Sequence, residues 1–148
     1  MHAILATIAA ISKEAQASLR PAQSSSPDET SLLDAIYSPT TAAAVFLVAL
    51  AKASGPVSDA TAVAIRDELR RLSGLQDVTE LLVFSGWLTE HERSPSQIAR
   101  KFDRLWRRAL SKRKRETLVS AAYNIVASSG ATCATQTDAV RALRERLV

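Results

Sequence analysis

An uninterrupted apolar segment constrains what this chain can fold into more than any other feature. Residues 42–51 read AAAVFLVALA and contain no polar side chain. Pro39 and Thr40 precede the segment, and Gly55 and Pro56 follow it, an order typical of the start and the stop of a helix. A helix that is apolar on every side is usually buried. The sequence therefore predicts one central helix, with other elements packed around it.

The chain from Thr30 onward carries helical patterns and no strand pattern. Apolar residues recur at three- and four-residue spacing, and the strict alternation of a strand is absent. Predicted helices begin at Ser58, Asp77, Ser94 or Ser96, Ser111 and Thr135, after a short helix from Ser31 through Tyr37, and Gly74 and Gly130 are predicted helix ends. The predicted inward side chains are Ala62, Ile65, Leu69, Leu72, Val78, Leu81, Leu82, Trp87, Ile98, Phe102, Leu105, Trp106, Leu110, Leu118, Ala122, Ile125, Val126, Val140, Leu143 and Leu147. We expect an all-α fold, a compact bundle of about six to eight helices.

Length and cysteine content indicate a single domain that needs no covalent or metal support. At 148 residues the chain can bury a core unaided. Its one cysteine excludes a disulfide framework and a zinc site built from cysteines. The few aromatic residues argue against a stacking platform for single-stranded nucleic acid. Residues 30–148 form the predicted helical domain.

Residues 1–19 predict an amphipathic helix ahead of the domain, and residues 20–29, RPAQSSSPDE, predict a flexible linker. Apolar residues recur at helical spacing in the first segment: Met1, Ile4, Leu5, Ile8, Ile11, Ala15 and Leu19. Its apolar stretch is shorter than the roughly 20 residues of a membrane span, no cation precedes it and no clear cleavage site follows. We therefore expect no transmembrane segment and a cytoplasmic protein whose first helix docks on the domain or on a partner.

The net charge of +4 is distributed unevenly along the chain. Residues 93–115 contain ten cations and one anion, Asp103, and so carry a net charge of +9. The other residues contain nine cations and fourteen anions and carry a net charge of −5. Nine of the ten cations in residues 93–115 define the basic ridge: Arg100, Lys101, Arg104, Arg107, Arg108, Lys112, Arg113, Lys114 and Arg115. Such a ridge suits the phosphates of nucleic acid, anionic lipid head groups or an acidic protein. The alternative is a solvated helix face.

The chain repeats itself weakly at a spacing of 75 residues. Residues 49–65 read ALAKASGPVSDATAVAI, and residues 124–140 read NIVASSGATCATQTDAV. Each copy is a helix end, a Ser-Gly turn and the start of a new helix. Because one such unit cannot bury its own apolar face, two copies packed together are physically reasonable. We therefore expect the bundle to contain a pseudo-repeated helix-turn-helix unit.

With this repeat the sequence resembles the TerB-like tellurite-resistance domain family, which also occurs as a module in some membrane-anchored DnaJ-type co-chaperones. The family typically carries, twice, a turn of alanine, aspartate, glycine, any residue and a hydrophobic residue, with a glutamate about seven residues past the aspartate. The matching positions here are Ser54, Gly55 and Thr61 in the first copy and Ser129, Gly130 and Gln136 in the second. The resemblance covers residues 40–148 and implies an all-helical, stress-associated bacterial protein.

The acidic positions of the family pattern carry no acidic residue in this chain. Ser54 and Ser129 stand at the aspartate positions, and Thr61 and Gln136 stand at the glutamate positions. Hard cations such as Ca²⁺ and Mg²⁺ need several carboxylate oxygens, and neutral hydroxyl or amide oxygens replace them poorly. We therefore expect no metal site and no cofactor, and we interpret the two turn glycines as helix ends.

Residues that often perform catalysis are few and isolated. His91 lies between Glu90 and Glu92, where a metal ligand or an acid–base group is the alternative to a solvated loop. Cys133 has no neighbouring base, and His2 belongs to the predicted first helix. No Gly-rich phosphate loop, HExxH or GxSxG motif is present. We expect no catalytic residue, and hence no enzyme.

These features together predict a non-enzymatic protein that acts by binding or scaffolding. The favoured partner is an acidic protein or an anionic surface, and homo-oligomerisation stays open. Binding of nucleic acid or of an anionic membrane through the basic ridge is the alternative. Nucleic acid is less favoured, because the TerB-like family is not typically DNA-binding and no helix-turn-helix recognition pattern stands out.

Overall fold

The computed structural model describes residues 33–90, 94–130 and 132–148. Within these ranges the fold is an all-α bundle without strands, as the sequence predicted. Six helices follow one another: α1 Pro39–Lys52, α2 Asp59–Ser73, α3 Thr79–Leu88, α4 Pro95–Ala109, α5 Lys112–Ser128 and α6 Ala134–Leu147. The predicted N-terminal helix, residues 1–19, and the predicted linker, residues 20–29, lie outside the described residues.

Helix α1 is the centre of the bundle, and the prediction of a buried central helix is confirmed. Every residue of α1 from Thr41 to Ala51 is buried, and α2 to α6 all contact it. Trp106 of α4 packs edge-on against Phe46, with 5.9 Å between the ring centroids, and its Nε1 donates to the Pro39 carbonyl at 3.1 Å. Full burial of a large apolar side chain stabilises a fold by about 1.5–3 kcal/mol.

Polar side chains begin most helices where the sequence placed them. The hydroxyls of Ser58, Ser94 and Ser111 each accept a hydrogen bond from a backbone N–H three residues later, at 3.1–3.3 Å. Asp77 acts one residue ahead of the α3 N-cap, and its carboxylate accepts from the Thr79 N–H at 2.9 Å. These bonds satisfy donors that a helix start otherwise leaves open.

Two predicted inward residues, Ala62 and Trp87, are exposed. Four others are half-buried but pack against the core, as predicted: Leu82, Leu105, Leu110 and Val126. On α3 the buried side chains include Phe84 and Leu88 instead of Trp87, because α3 has little contrast between its two faces and the sequence did not show which one turns inward. Tyr37 is exposed and lies past the end of the short helical segment before α1.

The predicted repeat is present in the structure as two helix-turn-helix units, α1–α2 and α5–α6. Helices α2 and α6 begin at Asp59 and Ala134, 75 residues apart. Gly55 and Gly130 occupy matching places in the two turns, with φ of 119° and 77°. An L-residue rarely adopts such angles, so glycine relieves strain at both positions.

Candidate binding surface

Five cations of the basic ridge share the outward face of α4. At about 100° per residue, Arg100, Lys101, Arg104, Arg107 and Arg108 fall within an arc of about 120°. All five are exposed, while Ile98, Phe102 and Trp106 on the opposite side are buried in the core. The only other residue on this outward arc is Gln97, which is also exposed. The core therefore fixes which side of α4 carries positive charge to solvent.

The remaining four cations of the ridge open helix α5. Only Leu110 and Ser111 separate α4 from α5, so the two charged segments are contiguous in space. Lys112, Arg113 and Lys114 are exposed, and Arg115 is half-buried. No acidic residue accompanies them in the first turn of α5. The ridge is thus one continuous surface, formed by a helix face and the adjoining helix start.

Three of the nine ridge residues have distinct local surroundings. Lys101 pairs with the carboxylate of Asp34, just before α1. The Nζ of Lys114 donates to the Leu72 carbonyl, at the end of α2, at 3.4 Å. Arg115 has a buried Nε without a hydrogen-bond partner. Lys101 and Lys114 therefore attach the ridge to the bundle.

The other six ridge cations have no ion pair and no side-chain hydrogen bond within the described part of the chain. We call them the six unpaired cations: Arg100, Arg104, Arg107, Arg108, Lys112 and Arg113. The one acidic residue predicted among them, Asp103, does not neutralise them. It is buried on the inner side of α4, where it pairs with Arg146 of α6. The positive charge of this surface is therefore left to an external partner or to solvent.

The helix dipoles act differently on the two parts of the ridge. Arg107 and Arg108 lie in the last turn of α4, where the dipole favours cations. Lys112 and Arg113 lie in the first turn of α5, where it disfavours them by a few tenths to about 1 kcal/mol each. A bound anion at this start would remove that penalty, because it would meet both the cations and the helix N–H groups.

The turn positions of the TerB-like pattern hold the two repeats together. Thr61, at the first glutamate position, is buried, and its Oγ1 lies 3.0 Å from Ser58 Oγ and 3.1 Å from Ser128 Oγ of the other repeat. Gln136, at the second, is fully buried. Its Nε2 donates to the Leu50 carbonyl of α1 at 3.0 Å, and its Oε1 accepts from the Cys133 N–H at 3.3 Å.

The two serines of these turns bond to their own helices. Ser54 Oγ donates to the Ala51 carbonyl at 3.3 Å, and Ser129 Oγ donates to the Val126 carbonyl at 2.7 Å. Within the described residues, no group of three or more histidine, cysteine, aspartate or glutamate side chains is placed to hold a metal ion. The residues at these turns act as caps and links between helices, and they fit a divalent cation poorly.

The candidate catalytic residues divide between described and undescribed parts of the chain. His2, His91, Glu92 and the ridge's neighbour Arg93 lie outside the described residues. Cys133 is the N-cap of α6, is half-buried, and has its Sγ 3.5 Å from the Ala53 carbonyl. A structural role in the second turn accounts for this cysteine.

Sequence reasoning missed two buried carboxylates and the role of Gln136. Glu68 of α2 is buried, pairs with Arg71 at 3.2 Å and accepts from Asn124 Nδ2 of α5 at 3.0 Å. Asp103 is the second, between α4 and α6. Burial of Asp103 could have been predicted from its position next to the inward-facing Phe102 and near Trp106. Burial of Glu68 could have been predicted from its position next to the inward-facing Leu69.

A groove of about 720 Å³ lies between α5 and α6, and no ridge residue lines it. Its lining includes Tyr123, Val126, Val140, Arg141 and Arg144. No helix among residues 33–90, 94–130 and 132–148 is long and apolar enough to cross a membrane.

Comparisons with protein-family models, with curated proteins and with solved structures found no match.

Proposed function

We propose that this protein acts by binding rather than by catalysis, and that the basic ridge is its binding site for an anionic macromolecule. The observation that carries the proposal is the set of six unpaired cations on one continuous exposed surface. The core fixes their orientation, and the one anion of the segment, Asp103, is buried and pairs with Arg146 of α6.

The arrangement of like charges on α4 supports the proposal energetically. Arg104 lies four residues from both Arg100 and Arg108 and three residues from Arg107. Like charges at these spacings destabilise a helix by about 0.2–0.5 kcal/mol per pair. A bound anion attracts these arginines and offsets the repulsion between them. Relief of this repulsion adds to the affinity for the partner.

The finer part of the proposal is a stress-associated, TerB-like scaffold in the bacterial cytoplasm, with its metal role lost. Its support is that Thr61 and Gln136, at the family's glutamate positions, offer only neutral oxygens and are engaged inside the bundle. Calorimetry with Ca²⁺, Mg²⁺ and Zn²⁺ tests the lost metal role, and we expect no saturable heat. Stoichiometric binding at micromolar concentration would contradict it.

The binding proposal is tested on immobilised heparin, used as a general polyanion. The variant R104A/R107A/R108A removes three of the six unpaired cations from α4. The matched control, R66A/R141A/R144A, removes three exposed arginines from α2 and α6 and so has the same net charge. We expect the ridge variant to elute at clearly lower salt than the control. Equal elution of the two variants would show that net charge alone governs retention and would sink the proposal.

A further inference from the structure

We infer that the anionic partner of the basic ridge is the phosphate backbone of double-stranded nucleic acid, bound without regard to base sequence. This inference rests on the proposed binding function and specifies its partner. Two features of α4 and the start of α5 support it: the spacing of the cations, and the absence of exposed large apolar and aromatic side chains around them.

The ridge lacks the apolar anchors that are typical of stable protein interfaces and of helices that insert into a membrane surface. The exposed large hydrophobic residues of the described chain are Tyr37, Val57, Val63, Leu75, Val83, Trp87, Tyr123 and Val148. None of them lies on α4 or in the first three turns of α5. Stable protein interfaces are centred on buried aromatic or aliphatic side chains. Helices that lie in a membrane surface insert such side chains as well. A phosphate backbone needs only cations and hydrogen-bond donors.

The spacing of the cations matches a row of phosphates. Arg100, Arg104 and Arg108 rise along α4 by about 1.5 Å per residue, so the row extends over about 12 Å. Each strand of a duplex presents one phosphate per about 3.4 Å of helix axis. A row laid along the duplex axis therefore spans several phosphates of one strand. Arginine, which supplies five of the six unpaired cations, can donate two parallel hydrogen bonds to one phosphate.

The start of α5 extends this contact. Ser111 Oγ accepts from the Lys114 N–H, and the Ser111 carbonyl accepts from the Arg115 N–H. The N–H groups of Lys112 and Arg113 have no partner within the described residues and lie beside their own cationic side chains. A phosphate that follows the α4 row would reach this helix start next, because only two residues separate the helices.

The ridge is suited to a duplex backbone and not to bases. Gln97 is the only uncharged polar side chain on the outward arc of α4. The arginines can pair with guanine as well as with phosphate, but in a row that follows one strand they contact phosphates, which carry no sequence information. No exposed aromatic side chain lies on α4 or in the first three turns of α5, so unpaired bases have nothing to stack on. We therefore expect affinity to be independent of sequence and to favour a duplex over a single strand.

Fluorescence anisotropy with a labelled 20-base-pair duplex of mixed sequence measures this affinity between 50 and 200 mM salt. If six cations each neutralise a phosphate, the logarithmic salt slope is about −5, a loss of about 10³-fold over this range. In R104A/R107A/R108A three contacts remain, and the loss falls to about 40-fold. The control R66A/R141A/R144A keeps the steep slope. Equal slopes for the two variants would overturn the inference.

Competition identifies the class of anion. Unlabelled duplex should displace the label at concentrations at least tenfold lower, per negative charge, than polyglutamate, single-stranded DNA or phosphatidylserine vesicles. If polyglutamate or vesicles compete as well as the duplex, the partner is an acidic protein or a membrane and the inference fails. Retention on heparin that depends on the ridge would still stand in that case, so the proposed binding function would survive. If heparin retention is also independent of the ridge, both fail.

Unfolding of the variants is measured in parallel. Arg104, Arg107 and Arg108 are exposed and have no partner among the described residues, so their removal should leave the unfolding temperature within a few degrees of the parent. A ridge variant that is folded and still binds the duplex with the parent's slope would refute the inference directly.

Discussion

Replacement of Gln136 by glutamate tests whether this side chain links the two repeats as the structure shows. The change keeps the size of the side chain and restores the residue type of the TerB-like pattern. It removes the Nε2 donor, which lies 3.0 Å from the Leu50 carbonyl, and sets a carboxylate oxygen against that carbonyl in a fully buried site. The remaining bond, from the Cys133 N–H, is unaffected because glutamate also accepts there.

Two opposing effects decide the magnitude. Position 136 lies in the first turn of α6, where the helix dipole favours a negative charge by about 0.3–1 kcal/mol. A buried charge that loses its hydrogen-bond partner costs about 3–5 kcal/mol. Burial wins, and we expect Q136E to lower the free energy of unfolding by about 2–4 kcal/mol at pH 8. For a chain of this size each kcal/mol corresponds to about 2–4 °C in the unfolding temperature.

The effect should depend on pH, because a protonated glutamate can donate to the Leu50 carbonyl as the amide does. Burial therefore raises the pKa of the introduced carboxyl above the value of about 4.3 in the unfolded chain. With the folded pKa raised, the neutral variant is stable near pH 4 and loses stability as pH increases toward 8. Urea unfolding at the two pH values, with the parent protein beside it, measures the difference.

Gln97→Glu is a matched control. Gln97 occupies the same third position of its helix, α4, but is exposed and adjoins the cations of the ridge. We expect Q97E to be neutral or slightly stabilising at both pH values. Equal stability of Q136E and Q97E at pH 8, with no pH dependence in either, would refute the link through Gln136.

Three further changes test other parts of the bundle by urea unfolding. Asp103→Ala removes the charge-assisted hydrogen bond to Arg146 and should cost about 1.5–3 kcal/mol, because the remaining guanidinium is 41% exposed and water can solvate it; a loss below 1 kcal/mol would contradict the pairing. Hydrogen bonds from the Thr79 side chain and backbone lower the pKa of Asp77. The stabilisation that Asp77 gives should therefore be present above about pH 4 and be lost as pH falls. In Asp77→Ala the free energy of unfolding should depend less on pH in this range. Gly130→Ala should cost about 1–2 kcal/mol through backbone strain alone, because a Cβ there meets nothing within 4 Å; no change would argue against the positive φ.

The sequence predicted the elements whose signals are local. The apolar residues 42–51 predicted α1, and Ser58 and Ser111 predicted helix starts. On α4 the 3.6-residue period predicted that Trp106 and the arginines lie on different faces. The periodicity therefore predicted that the cations of α4 share an outward face, and in the structure they do. What the ridge binds stays a prediction.

Features that depend on a second element were not predictable in this way. Trp87 was expected to be buried, but α3 is apolar on most sides and the sequence does not show which side meets α1. The partners of Asp103 and Gln136 lie 43 and 86 residues away along the chain. Only packing brings such residues together, and a single sequence carries no record of those distances.

The central place of α1 has a consequence for synthesis of the chain. Helix α1 leaves the ribosome first among the six helices, while Trp106 and Gln136, which cover its two ends, follow 67 and 86 residues after their partners. At about 5–20 residues per second, its apolar surface stays open for several seconds. The nascent chain is thus most exposed to aggregation before α4 emerges, and the mature bundle is free of that hazard only once α6 has docked.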